Sequence, residues 1–354
     1  MPGPRVPTEP FGNPSQWSPT RVPGSIRRTS NLDMWSDPDD RSTMWLRCRA
    51  RDLLTAADSE AHVLGAARLD VRTGANRVVE EIRADPTRDG LEYLVGQRGG
   101  SGFRKQIDVA VPGEREAGSL LFYLLDDLPA AALIGGYVWS RFDTEGRERA
   151  QMPSPPRGSN VTAPSAVAME NVCAGWETAG TPMRLMTTGR PPIGPTVVAP
   201  DLVPPDDPLA WHDLGELPVA SMRRRRRVDV FDRPGGDVTV DAMFRDSCRT
   251  PDGVEVAVHE YTMRATVDPG AAVLTSITAE PRVLPFVECP SAAGNVDRLL
   301  GLPLAEFRTT VLETLRGTDC CTHLNDALRA LAEVPVLVEE LTRLRDTLAP
   351  PVEP

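Results

Sequence analysis

Cysteine and histidine, two side chains that carry strong chemistry, recur in the last third of this sequence. The residues are His259, Cys289, Cys321 and His323, with Cys320 directly before Cys321. Thiolates and imidazoles are ligands of zinc and of iron–sulfur clusters, and they also form the nucleophile and base of thiol-dependent enzymes. The residue types therefore predict one site that either holds a metal or uses a thiol as nucleophile.

The positions of the two central cysteines suggest how such a site would be built. Cys321 comes where a loop turns into a helix, and Cys289 comes at the preceding junction of a strand and a helix. Free N–H groups at a helix N-terminus favour a thiolate. A nucleophilic site would use Cys321, His323 and His259 as catalytic groups. A metal site would use Cys289, Cys321 and His259 to bind zinc, iron or an iron–sulfur cluster, with the two sulfurs within about 4 Å of each other or of a common ion.

The remaining polar candidates have simpler interpretations. Cys48 and Cys248 are expected to pack in the core, since free cysteine behaves as a small hydrophobic residue. Cys320 should point away from its neighbour Cys321. Asp52 and Asp246 each follow an arginine and are expected to hold the fold. No cysteine pair shows the two-residue separation of a zinc knuckle.

Two segments are predicted to contact a substrate. One contains Cys173 and Trp176 among small residues, in a Pro-rich stretch that should wrap over a module. The other is the run Arg223 to Arg227, which is either a solvated edge leading into a strand or a clamp for a phosphate or carboxylate. As a clamp, Arg224 and Arg226 would meet the phosphates of an acyl carrier such as coenzyme A.

The composition limits the function classes. The chain has 354 residues, 40% of them hydrophobic and 25% charged, which is typical of globular domains. A net charge of −11 argues against nucleic acid or an anionic membrane as the main partner. With no long apolar run and no apolar segment at the start, we expect a cytoplasmic protein whose six cysteines stay reduced.

Short strings recur about 195 positions apart, which predicts an internal duplication. The matched pairs are Asp33-Met34-Trp35 with Asp229-Val230-Phe231, Arg51-Asp52 with Arg245-Asp246, and, after an insert that contains Cys289, Phe103-Arg104 with Phe307-Arg308. In this alignment His259 matches Val63 and Cys321 matches Ala117. The first copy therefore lacks the cysteine and histidine groups, and the second copy should carry the function.

Each copy shows short alternating segments followed by longer apolar ones. The expected fold class is α+β: two tandem antiparallel-sheet modules with helices on one face, joined by a long Pro-rich connection. The expected organisation is an arm over 1–25, copy 1 over 26–140, the connection over 141–221, copy 2 over 222–346 and a tail over 347–354. In copy 2, strands are predicted at 227–231, 238–246, 254–267 and 273–279, and helices at 292–300, 304–315, 323–331 and 335–348.

Copy 2 also resembles a family of uncharacterised bacterial proteins known only as a domain of unknown function. The resemblance covers most of residues 222–334 and includes Cys321-Thr322-His323-Leu324, part of a Gly-Cys-Thr-His-Leu signature in which Cys320 replaces the glycine. Its other matching positions are Asp229, Asp246, His259, Asp268, Cys289 and Gly301. Members of the family occur in bacteria that degrade aromatic or steroid compounds, so the resemblance implies a role in catabolism.

A fainter resemblance is to the U-type iron–sulfur scaffold proteins. Cys289-Pro290-Ser291-Ala292 is similar to their Cys-x-Ser-Ala motif, with Pro290 in place of a glycine, and the first cysteine and nearby aspartate of those proteins are not matched. Three functions remain open: an enzyme of small-molecule catabolism (a lyase or hydrolase acting on aromatic, steroid or acyl-thioester substrates), a non-catalytic metal or iron–sulfur scaffold, and a structural partner subunit. A homo-oligomer is compatible with each of them.

Overall fold

In the computed structural model the described residues are 11–37, 42–100, 102–138, 141, 169–190, 192–233 and 236–348, with side chains described as far as 344. Residues 142–168 of the predicted Pro-rich connection, and nearly all of the predicted tail, lie outside the described residues. Statements about the fold below refer to these ranges.

One antiparallel sheet forms the centre of the fold. Its strands are β1 (Ser25–Trp35), β2 (Met44–Thr55), β3 (Ala61–Thr73), β4 (Val79–Asp85), β5 (Val197–Val198), β6 (Ser221–Asp232), β7 (Val238–Arg249), β8 (Glu255–Asp268) and β9 (Val273–Val283). The order across the sheet is β4-β3-β2-β1-β6-β7-β8, and both β9 and the short β5 pair with β8. The strands predicted in the second half are therefore present, three of them with wider bounds and the one predicted at 254–267 shifted by one residue.

The two halves of the chain have the same strand order and meet at the pairing of β1 with β6. Two ion pairs cross this central pairing, Arg27 with Asp229 at 2.7 Å and Arg223 with Asp33 at 2.6 Å. Each aspartate thus comes from the half that does not supply the arginine.

A register irregularity occurs at a similar place in each half of the sheet. It follows Asp52 in β2 and Asp246 in β7. At these points Asp52 lies opposite Gly65, and Asp246 lies opposite His259. In the strand pairing Gly65 therefore lies opposite Asp52 as His259 lies opposite Asp246, two positions from the Val63 that the sequence alignment matches to His259.

The helices lie on one face of the sheet. They are α1 (Phe103–Ala110), α2 (Leu120–Ile134), α3 (Thr181–Thr187), α4 (Phe307–Thr314), α5 (Thr322–Arg329) and α6 (Val334–Leu348). Contacts of α2 with β1–β3, of α5 with β7 and of α6 with β6 and β1 bury their apolar stripes. The predicted helix over 292–300 is instead a 3₁₀ segment, Cys289–Leu299, since Pro290 and Gly294 disfavour a continuous α-helix. None of the described helices is long and apolar enough to cross a membrane.

The opposite face of the sheet is covered by extended chain. Within the arm, the Ser15 N–H donates to Glu260 at 2.7 Å, and Phe11 pairs with Leu284. The connection after β5 crosses the same face, where Trp211 is buried against Met243 and Leu202. Both segments therefore lie along the sheet, and their polar backbone groups find partners on its side chains.

The arginine run occupies β6 in the middle of the sheet, where all five side chains are buried. Alternation along the strand sends Arg224 and Arg226 towards the helices and the other three towards the wrapping segments. The partners are Asp33 for Arg223; Asp127, Asp246 and Asp326 for Arg224; Glu255 for Arg225; Asp127 for Arg226; and Asp229 and Asp241 for Arg227. The interpretation of this run as a solvated edge is wrong, because carboxylates from distant segments neutralise it inside the protein.

Candidate functional site

The cysteine and histidine side chains of the second half meet where β7 and β8 face the start of α5. His259 and Tyr261 are two residues apart on β8, so they point to the same face of the sheet. Asp246 is the cross-strand neighbour of His259. Cys321 is the N-cap residue of α5, which also brings His323 over the two strands. The sheet supplies one wall of the site and the first turn of α5 supplies the other.

His323 lies between a thiol and a carboxylate. Its Nδ1 is 4.0 Å from the Cys321 sulfur, and its Nε2 is 3.8 Å from Oδ2 of Asp246. The carboxylate favours the tautomer with the proton on Nε2, which leaves Nδ1 free to accept a proton. Thiol, imidazole and carboxylate are thus in the order that general-base activation of a cysteine requires.

Asp246 is held by an arginine and not by the histidines. Arg224 donates from Nε and Nη2 to the two oxygens of Asp246, at 2.9 and 3.1 Å. Both side chains are fully buried, and the Arg224 guanidinium also stacks over the Phe244 ring at 4.9 Å. This bidentate pair fixes the direction of the carboxylate towards His323.

A second imidazole stacks on the first. The rings of His259 and His323 are 3.6 Å apart between centroids, with 16° between their planes. Burial lowers the pKa of His323 to about 3, helped by Arg224, and burial with the neighbouring His323 lowers the pKa of His259 well below its usual value. Both rings are therefore neutral at physiological pH, and a neutral imidazole can act as a base.

Three thiols from three chain segments converge beside this pair. Cys321 interacts electrostatically with Cys173, and Cys289 interacts with both. The turn at Ala174–Trp176 lies over them: a Cβ on Gly175 would be 2.7 Å from the Cys289 sulfur and 3.9 Å from the Cys173 sulfur. Only glycine lets the turn approach so closely. The segment around Trp176 therefore covers the site, as predicted.

Burial keeps these thiols protonated at rest. It raises the pKa of Cys321 to about 11, with the Cys173 thiol adding to the effect. Opposing this, the Tyr261 hydroxyl and the backbone N–H groups of Leu324 and His323 favour the thiolate of Cys321. Burial also raises the pKa of Cys289 far above its usual range. Of the three, Cys321 is the thiol that has both a base and hydrogen-bond donors beside it.

The other predicted residues fall outside the reacting group. Cys48 and Cys248 are fully buried in the core of the first half, as expected for packing residues. The Cys320 sulfur faces the carbonyl of Val172 at 3.8 Å and so points away from Cys321. Trp176 is half-buried and packs on the core of the second half.

Arg224 and Arg226, the predicted substrate clamp, are not available to a ligand as the structure stands. Arg224 is paired with Asp246, Asp127 and Asp326, and Arg226 donates to Asp127 at 2.7 Å. Their side chains are no more than 5% exposed. A carrier phosphate could reach them only by displacing buried carboxylates, so the arginine run gives no support for coenzyme A as a substrate.

The geometry fits a metal ion poorly. In the part of the chain that the structure describes, the group whose ligand atoms all lie within 4.8 Å of one another is Asp246, His259 and His323, and the predicted set of Cys289, Cys321 and His259 is not such a group. Imidazole lone pairs lie in the ring plane, and two stacked, nearly parallel planes do not direct them at one ion. Both oxygens of Asp246 are also engaged by Arg224.

Three residues of the site were not predicted from the sequence as functional. The sequence predicts only a structural role for Asp246. It does form an ion pair with Arg224, but it also faces His323. Tyr261 could have been found from its two-residue spacing to His259, which places both on one face of a strand. Gly175 carried no signal, because its role depends on a thiol more than a hundred positions away.

The buried neutral histidines predict a loss of stability in mild acid. Burial, reinforced by Arg51 and Arg49, lowers the pKa of His212 to about 3, as burial does for His323. A folded-state pKa below the unfolded value near 6.5 gives a contribution that is complete above pH 6.5 and declines as the pH falls. His212, His259 and His323 each contribute about 1.4 kcal/mol in this way, so we expect the free energy of unfolding to drop by about 4 kcal/mol between pH 7.5 and 5.5.

Denaturant unfolding at the two pH values measures this drop. His212→Gln, which removes a titrating group that lies between Thr29 and Asn31, should reduce the drop by about a third relative to that variant's own stability at pH 7.5. An unfolding free energy that stays flat from pH 7.5 to 5.5 would show that these imidazoles are protonated without cost in the folded protein.

Comparison with known proteins gives a family-model match to about a third of the chain. A search of curated proteins and a search of solved structures each returned no significant match. The matching family model begins in β6 and ends in α6, so it includes Asp246, His259, Cys321 and His323 but not Cys173. Residues 222–337 match the family described as "Protein of unknown function (DUF2889)", which supports an uncharacterised domain family for this part of the chain.

Proposed function

We propose that this protein is a thiol-dependent hydrolase of small acyl compounds, thioesters or esters, with Cys321 as nucleophile and His323 as general base. The observation that carries the proposal is the position of His323, with Nδ1 towards the Cys321 sulfur and Nε2 towards Asp246. Acyl transfer is the reaction class that this order of groups serves. A small substrate is favoured because Cys321 is only 4% exposed beneath the Trp176 segment.

The proposed reaction moves one proton back and forth through His323. The imidazole takes the thiol proton as the Cys321 sulfur attacks the carbonyl carbon, and it then gives that proton to the departing thiol or alcohol. Water, deprotonated by the same imidazole, next attacks the carbonyl carbon of the acyl-enzyme, the carbon–sulfur bond breaks, and the imidazolium returns the proton to the Cys321 sulfur as the carboxylic acid leaves. Asp246 keeps the ring oriented and stabilises the imidazolium that forms in each step.

We also propose that the halves are copies of one module and that only the second is active. In the first half, Gly65 and Ala67 stand on β3 where β8 has His259 and Tyr261. Ser119 caps α2 in the place where Cys321 caps α5. The first half thus retains an Arg28–Asp52 pair like that of Arg224 and Asp246 but has none of the reacting groups. A catabolic setting, as the family resemblance implies, is compatible with such a hydrolase.

Trapping an acyl-enzyme tests the proposal. The purified protein is mixed with an activated aryl acetate and with short acyl thioesters, quenched in acid, digested and analysed by mass spectrometry. We expect the acyl group on the peptide that contains Cys321, together with steady release of product. Cys321→Ser should lose both signals, whereas Cys320→Ser, a matched change at the adjacent thiol, should keep them.

Metal removal separates this hydrolase from the alternative that uses Cys289, Cys321 and His259 as metal ligands. Because Asp246 is engaged by Arg224 and the imidazoles are stacked, dialysis against a strong chelator should leave hydrolysis unchanged. Activity that disappears on dialysis and returns with zinc or iron would overturn the thiol mechanism in favour of a metal centre. Acylation at a residue other than Cys321 would overturn the assignment of the nucleophile.

A further inference from the structure

Tyr261 has a hydroxyl whose position packing alone does not explain. The side chain is fully buried in the apolar core of the second half, between strands and helices. Its oxygen has no hydrogen-bond partner among the described residues. An unpartnered buried hydroxyl is costly, and phenylalanine would fill the same space without that cost. The groups that act on the hydroxyl electrostatically are the three thiols of the site, Cys321 most strongly and then Cys289 and Cys173, so the unpartnered oxygen lies on the side of the thiol that His323 serves.

We propose that Tyr261 is a positioning residue for the thiol chemistry: its hydroxyl donates to the Cys321 sulfur and holds it as the attacking thiolate. The inference rests on the proposed function and adds a donor that acts together with the N–H groups of His323 and Leu324 at the start of α5. His323 removes the proton from one side of the sulfur, and Tyr261 stabilises the resulting charge from the strand side. A hydrogen bond to a charged acceptor is considerably stronger than one to a neutral acceptor.

The place of Tyr261 in the fold supports this role. It is two residues beyond His259 on the same face of β8, directly across from Phe244 on β7. At the corresponding place of the first half, Ala67 faces Ala50, and there the helix cap is Ser119 in place of a cysteine. At this place in the strand, a tyrosine hydroxyl therefore occurs in the half whose helix cap is a cysteine.

Two replacements test the proposal by changing the donor while keeping the ring. Tyr261→Phe removes the hydroxyl, and 3-fluorotyrosine at position 261 makes it more acidic and a stronger donor. We expect the rate at which iodoacetamide alkylates Cys321, followed on its peptide by mass spectrometry between pH 7 and 9, to fall about 10–100-fold in Tyr261→Phe. The rate should rise above that of the wild type with fluorotyrosine. Hydrolysis should follow the same order through kcat, with KM nearly constant.

Tyr123→Phe is the matched control. Tyr123 is also buried, and its hydroxyl also lacks a hydrogen-bond partner in the described part of the chain. The groups that act on it electrostatically are charged side chains and not thiols: Arg226, Arg28, Asp127 and Glu333. Its removal should leave alkylation of Cys321 unchanged.

The alkylation and hydrolysis rates together separate the role of Tyr261 from the proposed hydrolase. An unchanged rate in Tyr261→Phe overturns the proposal, and so does a rate that falls with phenylalanine but does not rise with fluorotyrosine, because that pattern indicates packing. If alkylation follows donor strength while the wild type hydrolyses no acyl substrate, the role of Tyr261 stands and the proposed hydrolase fails. If hydrolysis requires Cys321 but ignores Tyr261, the hydrolase stands and this inference fails.

Discussion

Arg224→Met should lower the free energy of unfolding by about 3–5 kcal/mol, the cost of breaking a buried ion pair from one side. The guanidinium is 1% exposed and lies between Asp246 and Asp127, which are 0% and 2% exposed. Methionine fills the space but leaves the charge of Asp246 without its bidentate partner. Because domains are commonly stable by only about 5–15 kcal/mol, the loss should be visible as a large shift in the denaturation midpoint.

Arg264→Met is the matched control for this experiment. Arg264 also pairs with an aspartate, Asp241 at 3.1 Å, but its side chain is 79% exposed. Exposed pairs contribute about 0–1 kcal/mol, so this variant should unfold almost like the wild type. Equal losses in the two variants would contradict the distinction between buried and exposed pairs on which this account of the sheet depends.

His323→Ala should reduce kcat/KM for acyl substrates by about 10²–10⁴-fold, the usual contribution of a general base. With burial raising the pKa of Cys321 to about 11, almost no thiolate exists at neutral pH unless a base accepts the proton during attack. The loss should shrink as the pH rises towards 10, because hydroxide then supplies the thiolate directly. Initial rates over pH 7–10 measure this, with thermal melting to confirm that the variant is folded.

His62→Ala provides the comparison for His323→Ala. His62 is an exposed histidine in the first half, next to Glu60, and it should be replaceable with no change in rate. A His323→Ala enzyme with full activity at neutral pH would show that the proton of Cys321 goes elsewhere. His259, which stacks on His323, would then be the first alternative to examine.

Much of the architecture follows from the order of residues along the chain. Alternating segments predicted the strands of the second half, and the helix predicted over 304–315 is present as α4, in which Phe307 and Val311, four residues apart, share a buried face. The α+β class follows from strands preceding helices. Such local patterns are readable because periods of two and of 3.6 residues set which side chains share a face.

The candidate site was only partly predictable for the same reason. Cys321 could be placed at a helix start from its neighbours in sequence, and His323 follows it by two residues. That Asp246 would face His323, and that Gly175 would let a distant turn close over Cys289, depends on contacts between segments far apart in the chain. No local pattern encodes them.

The arginine run shows most clearly where sequence and tertiary structure divide. By itself the sequence indicated a run of five arginines leading into a strand, and it predicted that cysteine and histidine would cluster in the second half. Only the tertiary structure decided that Arg224 is buried, because its partners Asp127 and Asp326 come from helices of different halves. A charge is stable inside a protein only when opposite charges are brought to it, and which ones arrive is a property of the folded chain.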